Sequence, residues 1–170
     1  MNEESRLNKF VSNKEFYSYI SDLINNNSVL QLKSFTHHYF TTCYDHSIRV
    51  AYHNFIICKL LGLNAKAASR GGLLHDLYLY NRKTYVRSKG EKLHGFRHPH
   101  IALDNASKLF RLTKIEKDII VKHMFPLTLK FPKYPESYIT TITDKYLCVA
   151  EITEGLFKVA FNGLNKFAYN

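Results

Sequence analysis

The chain of 170 residues sets 24 Lys and Arg against 14 Asp and Glu, a formal net charge of +10, which favours anionic ligands such as nucleotides, polyphosphates or nucleic acid without choosing among them. Its 45% hydrophobic and 14% aromatic content excludes a disordered, solvating polymer and suffices to fill one core. Cys43, Cys58 and Cys148 form no CxxC pair, no apolar leader follows Met1-Asn2-Glu3-Glu4, and no run approaches the length of a membrane span. A single, reduced, cytoplasmic and soluble domain over residues 1–170, with no membrane partner, is therefore expected.

Apolar periodicity is helical almost throughout, interrupted by only 4 prolines and 7 glycines, and no repeat or linker is visible. Lys14 to Ile24 is an amphipathic helix that ends at Asn25-Asn26-Asn27. Asp45 to Leu61 is a longer one, closed by Gly62. A third starts after Asn64, a side chain suited to the N-cap, and carries AKAASRGGLLHDLYLY to Tyr80. Residues 80–96 are polar, basic and contain Gly90 and Gly95, which predicts a loop over one face. The next helix opens near His98 with Pro99 in its first turn. Thr113 and Glu116 have capping-box spacing and open TKIEKDIIVKHM. Pro126, Pro132 and Pro135 confine the following segment to a loop. A last helix runs from Glu136 to Phe161, with a break expected near Gly155. No alternating strand pair is present, so the expected fold is all-α, a compact multi-helix bundle.

Inside that pattern, LLHDLY at residues 73–78 places a titratable His75-Asp76 pair in an apolar run. Burying such a pair costs several kcal/mol unless partners or a metal satisfy it. His46 falls in the first turn of the second helix and His75 and Asp76 near the end of the third. His98 opens the next helix, His123 closes the one after, and Asp144 lies in the last. Four imidazoles and two carboxylates beside apolar residues suit divalent Fe, Mn, Co, Zn, Ni or Mg. Six ligands exceed the needs of one open metal site and suit two metal ions, with the His75-Asp76 pair the place to look for a bridge. Two metals ~3.5–4 Å apart can activate a bridging hydroxide and clamp both oxygens of a phosphoryl displacement.

The ordered set H…HD…H…H…D, with YDHSIRVAY, SRGGLLHDLYLY, GFRHPHIALDNA and TDKYLCVAE around its members, resembles the HD-domain metal-dependent phosphohydrolase superfamily over residues 40 to 155. The resemblance implies a mononuclear core of His46, His75, Asp76 and Asp144, and a second-metal pair of His98 and His123. The dinuclear branch of the superfamily includes HD-GYP cyclic-dinucleotide phosphodiesterases and a group that hydrolyses diadenosine tetraphosphate. This chain has no GYP triad, and KHMF stands where HD-GYP proteins have two histidines, which turns the reading away from cyclic-di-GMP. The implied activity is hydrolysis of a phosphoester or phosphoanhydride in a small nucleotide-type substrate. Asp76 is its central catalytic ligand, and Lys145 and Arg49 are the first candidates to contact phosphate.

Arg70, Arg97 and Lys122 are further candidate cations, and Arg82, Lys83, Arg87, Lys89 and Lys92 would make a basic rim. His37 and His38 could line the mouth of the site, His53 shares a face with His46, and Tyr78, Tyr80 or Tyr134 could stack on a base. Other readings stay open: a mononuclear nucleotidase, a basic nucleic-acid- or nucleotide-binding module without catalysis, and a di-iron, oxygen-activating enzyme.

Overall fold

Thr42 starts the helix that carries His46. Its Oγ1 accepts a hydrogen bond from the Asp45 backbone N–H at 3.1 Å, and the Asp45 carboxylate accepts one from the Thr42 N–H at 3.4 Å. This reciprocal box moves the helix start ahead of the expected Asp45, to Cys43. In the computed structural model, residues 10–38 and 40–168 are described, with side chains as far as Phe161 except that of His38. The acidic opening at residues 1–4 and the side chain of His38 lie outside them.

The order of elements is α1 (Lys14–Ile24), α2 (Asn27–Leu30), a 3-10 turn (Gln31–Ser34), β1 (Thr36–His38), β2 (Thr41–Thr42), α3 (Cys43–Leu60), α4 (Ala65–Leu74), α5 (His94–Leu109), α6 (Lys114–Lys122) and α7 (Pro135–Ala168). The architecture is all-α, as expected, apart from the small antiparallel hairpin β1–β2, which the alternation pattern was too short to reveal. No helix among the described residues is long and apolar enough to cross a membrane.

Three further differences from the expectation each have a physical reason. The third helix stops at Leu74 instead of running to Tyr80, because His75 Nδ1 donates to the Gly72 carbonyl at 2.7 Å. That carbonyl is the one the Asp76 N–H would need to extend the helix. α5 starts at His94, one turn earlier than expected, and contains Pro99 internally. The missing N–H of Pro99 removes only a bond to the nearby helix start, where the cost is small. α7 passes through Gly155 without a break, since one glycine costs a helix only about 1 kcal/mol.

Gly62 closes α3 as expected, with φ +66 and the Leu63 N–H returning to the Cys58 carbonyl at 2.9 Å, a conformation that glycine adopts without a Cβ clash. α3 is the central element, packed on α4 and α7. Phe16, Ile20 and Leu23 of α1 join Ile48, Ala51 and Phe55 of α3 and Leu73 and Leu74 of α4 in the core. Asn54, fully buried, donates to the Ala68 carbonyl at 3.2 Å and to Thr140 Oγ1 at 2.9 Å, tying α3 to α4 and α7. At Gly72 an added Cβ would lie 2.5 Å from Asn54 Nδ2 and 3.2 Å from Ala51 Cα. Gly72 thus lets α4 lie directly on α3, while at Gly71 an added Cβ would meet Ile119 of α6 at 2.8 Å; these close contacts set where His75 and Asp76 emerge.

Candidate metal centre

Four separate elements deliver the six proposed ligands, plus the turn after α4. His46 comes from α3, His75 and Asp76 from the turn closing α4, His98 from α5, His123 from the C-terminal cap of α6, and Asp144 from α7. All six are buried, and the structure brings all six together. Donor atoms of His46, His75 and Asp76, of His75, His123 and Asp144, and of Asp76, His98 and His123 lie within 4.8 Å of one another in each trio.

Backbone carbonyls decide which nitrogen each ring offers. His75 Nδ1 faces the Gly72 oxygen at 2.7 Å, His98 Nδ1 the His94 oxygen at 2.9 Å, and His123 Nδ1 the Ile120 oxygen at 2.8 Å. A carbonyl can only accept, so each Nδ1 carries a proton and, in the neutral ring, Nε2 keeps a lone pair. Those lone pairs converge. His98 Nε2 is 2.8 Å from His123 Nε2, and two lone pairs at that separation need a proton or a cation between them. His75 Nε2 is buried with no hydrogen-bond partner.

Asp76 stands between the groups. Its Oδ1 lies 3.1 Å from His98 Nε2 and 3.6 Å from His123 Nε2, and its Oδ2 lies 3.6 Å from His75 Nε2. The 3.1 Å approach is not aligned as a hydrogen bond, and Oδ1 is a buried acceptor without a donor. Burial would push the carboxyl up, yet the neighbouring His75 and His98 outweigh it and hold Asp76 well below the usual carboxylate range. Asp144 is likewise held low, burial being outweighed by its bond to His46 and by the His75 ring, whose Nε2 lies 3.5 Å from Oδ1. Burial and the repulsion of His75 and His98 together bring His123 down to about 3, so that ring stays neutral. Ionised carboxylates facing imidazole lone pairs, with orphaned acceptors between them, are a donor set that fits divalent cations.

His46 is oriented differently. Its Nε2 is 3.0 Å from Asp144 Oδ1, while Nδ1 is 3.1 Å from Glu151 Oε1. Burial alone would lower its pKa; the two carboxylates overcome this and raise it to about 10. Glu151 is held down at about 2 by bonds from His37 and His46, against its own burial. A carboxylate gripping the far nitrogen of a ligating ring fixes its tautomer and aim. Sequence reading missed Glu151. The signal was in the TDKYLCVAE string: Glu151 lies seven residues after Asp144, two turns along the same face of α7.

A cavity of about 380 Å³ adjoins the cluster, lined among others by His37, Asp76, Tyr78, Arg82, His98 and Asp144. His37 stacks on His46 with ring centres 4.0 Å apart and lies 3.7 Å from Asp76 Oδ2. His94 stacks on His98 at 4.5 Å, and Cys148 Sγ lies 3.6 Å from Asp144 Oδ1; neither residue was among the expected ligands. Arg49 and Lys145, the first candidates for phosphate contact, do not line this cavity. Arg49 Nη1 donates to Glu151 Oε1 at 3.2 Å, and Lys145 Nζ donates to the His123 carbonyl at 2.8 Å. Both brace ligand-bearing elements.

The remaining candidates separate in the same way. Arg70 is spent on Asp22, Glu116 and the Tyr19 carbonyl, and Lys122 donates to the Phe131 carbonyl. His53 donates from Nδ1 to the Arg49 carbonyl at 2.8 Å, away from the cluster, and Tyr134 lines a different depression. Tyr78 borders the cavity, and Tyr80 lies behind it, against Tyr78 with ring centres 5.1 Å apart and bonded to His94. No family model matches the chain, and no curated protein or solved structure does so either.

Proposed function

We propose that this protein is a metal-dependent phosphohydrolase that cleaves a phosphoester or phosphoanhydride bond in a nucleotide-type substrate. The observation that carries this reading is the set of three imidazoles with Nδ1 committed to backbone carbonyls and Nε2 lone pairs converging on Asp76 and Asp144, beside a cavity that includes Arg82. His46, His75, Asp76 and Asp144 would hold one divalent cation. His98 and His123 would hold a second, with Asp76 close to both groups of imidazoles. Bound there, such cations supply Lewis acidity towards phosphoryl oxygens and lower the pKa of water.

The chain's own residues do the rest. Glu151 and the three carbonyls fix the rings, which removes reorganisation from the reaction. Arg82 adds positive charge at the cavity. Hydrolysis adds a water oxygen to phosphorus and breaks the bond from phosphorus to the leaving oxygen, which takes up the proton. No side chain becomes covalently modified. The ligand order resembling HD-domain phosphohydrolases supports the same chemistry. Cys43, Cys58 and Cys148 are all free thiols, which supports action in a reducing, cytoplasmic compartment.

Elemental analysis of the purified protein, followed by a panel of phosphorylated substrates with the metals found, tests this reading. Two metals per chain and turnover abolished by Asp76→Ala are expected. Turnover that survives Asp76→Ala unchanged would defeat it, and one metal per chain at saturation would reduce it to the mononuclear form.

A further inference from the structure

Arg82 and His94 line the cavity beside the histidines, and both also line a second groove of about 160 Å³ walled by Tyr80, Tyr85, Arg87, Lys92 and Arg97. We propose that this groove is an anion subsite holding a second phosphate, so that the protein acts on substrates with two or more consecutive phosphates in preference to simple phosphomonoesters. Placing the reacting phosphate at the histidines rests on the proposed function above; the subsite itself rests on the groove.

The wall is built, not a chance meeting of surface side chains. The Arg97 guanidinium lies 4.4 Å from the Tyr85 ring centre and 5.4 Å from that of Tyr80. Its Nη1 donates to Tyr85 Oη at 2.9 Å and Nη2 to Tyr80 Oη at 3.3 Å, and it pairs with Glu91. Tyr80 Oη in turn meets His94 Nδ1 at 2.9 Å, which joins this wall to the cavity. The loop behind it contains two local side-chain-capped turns. The Lys83 N–H donates to Asn81 Oδ1 at 2.9 Å, and the Ser88 N–H donates to Glu91 Oε2 at 3.1 Å. An aromatic frame of this kind orients a guanidinium that would otherwise sample many rotamers.

The charge in the groove is unbalanced. Glu91 is taken up by Arg97, Tyr85 and the Ser88 N–H. Arg82, Arg87 and Lys92 make no hydrogen bond or ion pair within the described residues, and Arg97 Nε has no hydrogen-bond partner. Cations that converge on one concave surface repel one another, and a multiply charged anion relieves that repulsion. Guanidinium groups match the paired oxygens of phosphate. The groove is too small for a nucleic-acid strand and suits one or two phosphate groups. Its continuity with the cavity through Arg82 and His94 requires those phosphates to be linked to the one that reacts. The inferred substrate class is therefore polyphosphorylated: a nucleoside di- or triphosphate or a longer phosphate chain.

The test compares ATP with AMP, both in excess magnesium, on the metal-loaded full chain. Binding is followed by calorimetry and turnover by phosphate release. The expected result is that ATP binds more tightly than AMP, and that Arg82→Ala/Arg87→Ala/Lys92→Ala removes about tenfold of ATP affinity, as loss of three exposed charge contacts would. AMP affinity and metal content should stay within twofold. A control variant with the same charge change on α5 and α6, Lys108→Ala/Lys114→Ala/Lys117→Ala, should keep the preference for ATP. The proposal is overturned if the groove variant retains that preference, or if both triple variants lose ATP affinity equally. Loss of the preference in a protein that hydrolyses neither nucleotide would support the subsite while overturning the phosphohydrolase reading.

Discussion

His98 and His123 face each other through Nε2 atoms 2.8 Å apart, each ring having given its Nδ1 proton to a carbonyl of its own helix. Neither can donate to the other while neutral, so the pair is stable only with a positive charge between them. His98→Ala should lower bound metal from two per chain to one, read by elemental analysis. It should cost less stability in chelator-treated protein than in metal-loaded protein, because removing one ring also removes the lone-pair conflict. Two metals retained per chain would separate His98 from the centre.

Metal removal should destabilise the fold. Six buried ligands from distant parts of the chain meet only in the native state, so a cation bound there stabilises by mass action. With free metal at 100 times its dissociation constant the gain is about 2.7 kcal/mol per site. For a chain of this size that is a Tm drop of roughly 5–10 °C for each site emptied by chelation. An unchanged Tm alongside complete loss of metal would show that no cation holds the cluster together.

Glu151→Ala should weaken metal binding about 10–100-fold by freeing the far nitrogen of His46. Arg49→Ala should act in the same direction and more weakly, since Arg49 reaches the centre only through Glu151. Competition with a chelating dye would rank the two variants; a larger effect from Arg49 would point to a direct role in the cavity.

Gly72→Ala should destabilise the protein by about 1–3 kcal/mol, despite a helix-propensity gain of about 1 kcal/mol. The added Cβ meets the Ala51 backbone at 3.2 Å as well as Asn54, and backbone cannot turn aside as a side chain can. The same push should shift His75 and lower metal affinity. Denaturant unfolding and metal titration of one preparation would measure both effects.

Arg70→Ala should cost about 3–5 kcal/mol, because it strips the buried Glu116 of its ion pair and frees Asp22 on α1. The hydrogen bond from Arg70 lowers the Asp22 pKa, against burial. A depressed carboxyl contributes stability that is present above its unfolded value, 3.8, and is lost as pH falls through the lower folded value. Unfolding measured from pH 5 downwards should therefore fall less steeply in the variant. An acid limb identical to that of the wild type would disconnect Asp22 from Arg70.

Helix content was legible because 3.6-residue periodicity, Asn64, Gly62 and the Thr113–Glu116 box act within a few residues of chain. The cluster of buried histidines and aspartates was legible because these side chains are costly on apolar faces, so their order along the sequence carried information. Side-chain competition for backbone was not legible. His75 ends α4 by taking the carbonyl that would have extended it, and nothing in LLHDLYLY distinguishes that from a continuing helix.

The sequence by itself determined that helices would form and that His46, His75, Asp76, His98, His123 and Asp144 needed a shared reason to be buried. Only the tertiary structure decided which cations were free. Arg49 and Lys145 stand beside ligands in sequence, yet their side chains are used by Glu151 and the His123 carbonyl, while Arg82, Arg87 and Lys92 of the loop stay unpaired beside the cavity. Sequence proximity fixes where a long side chain starts. Where its charge ends up depends on which distant carboxylate or carbonyl the fold brings within reach.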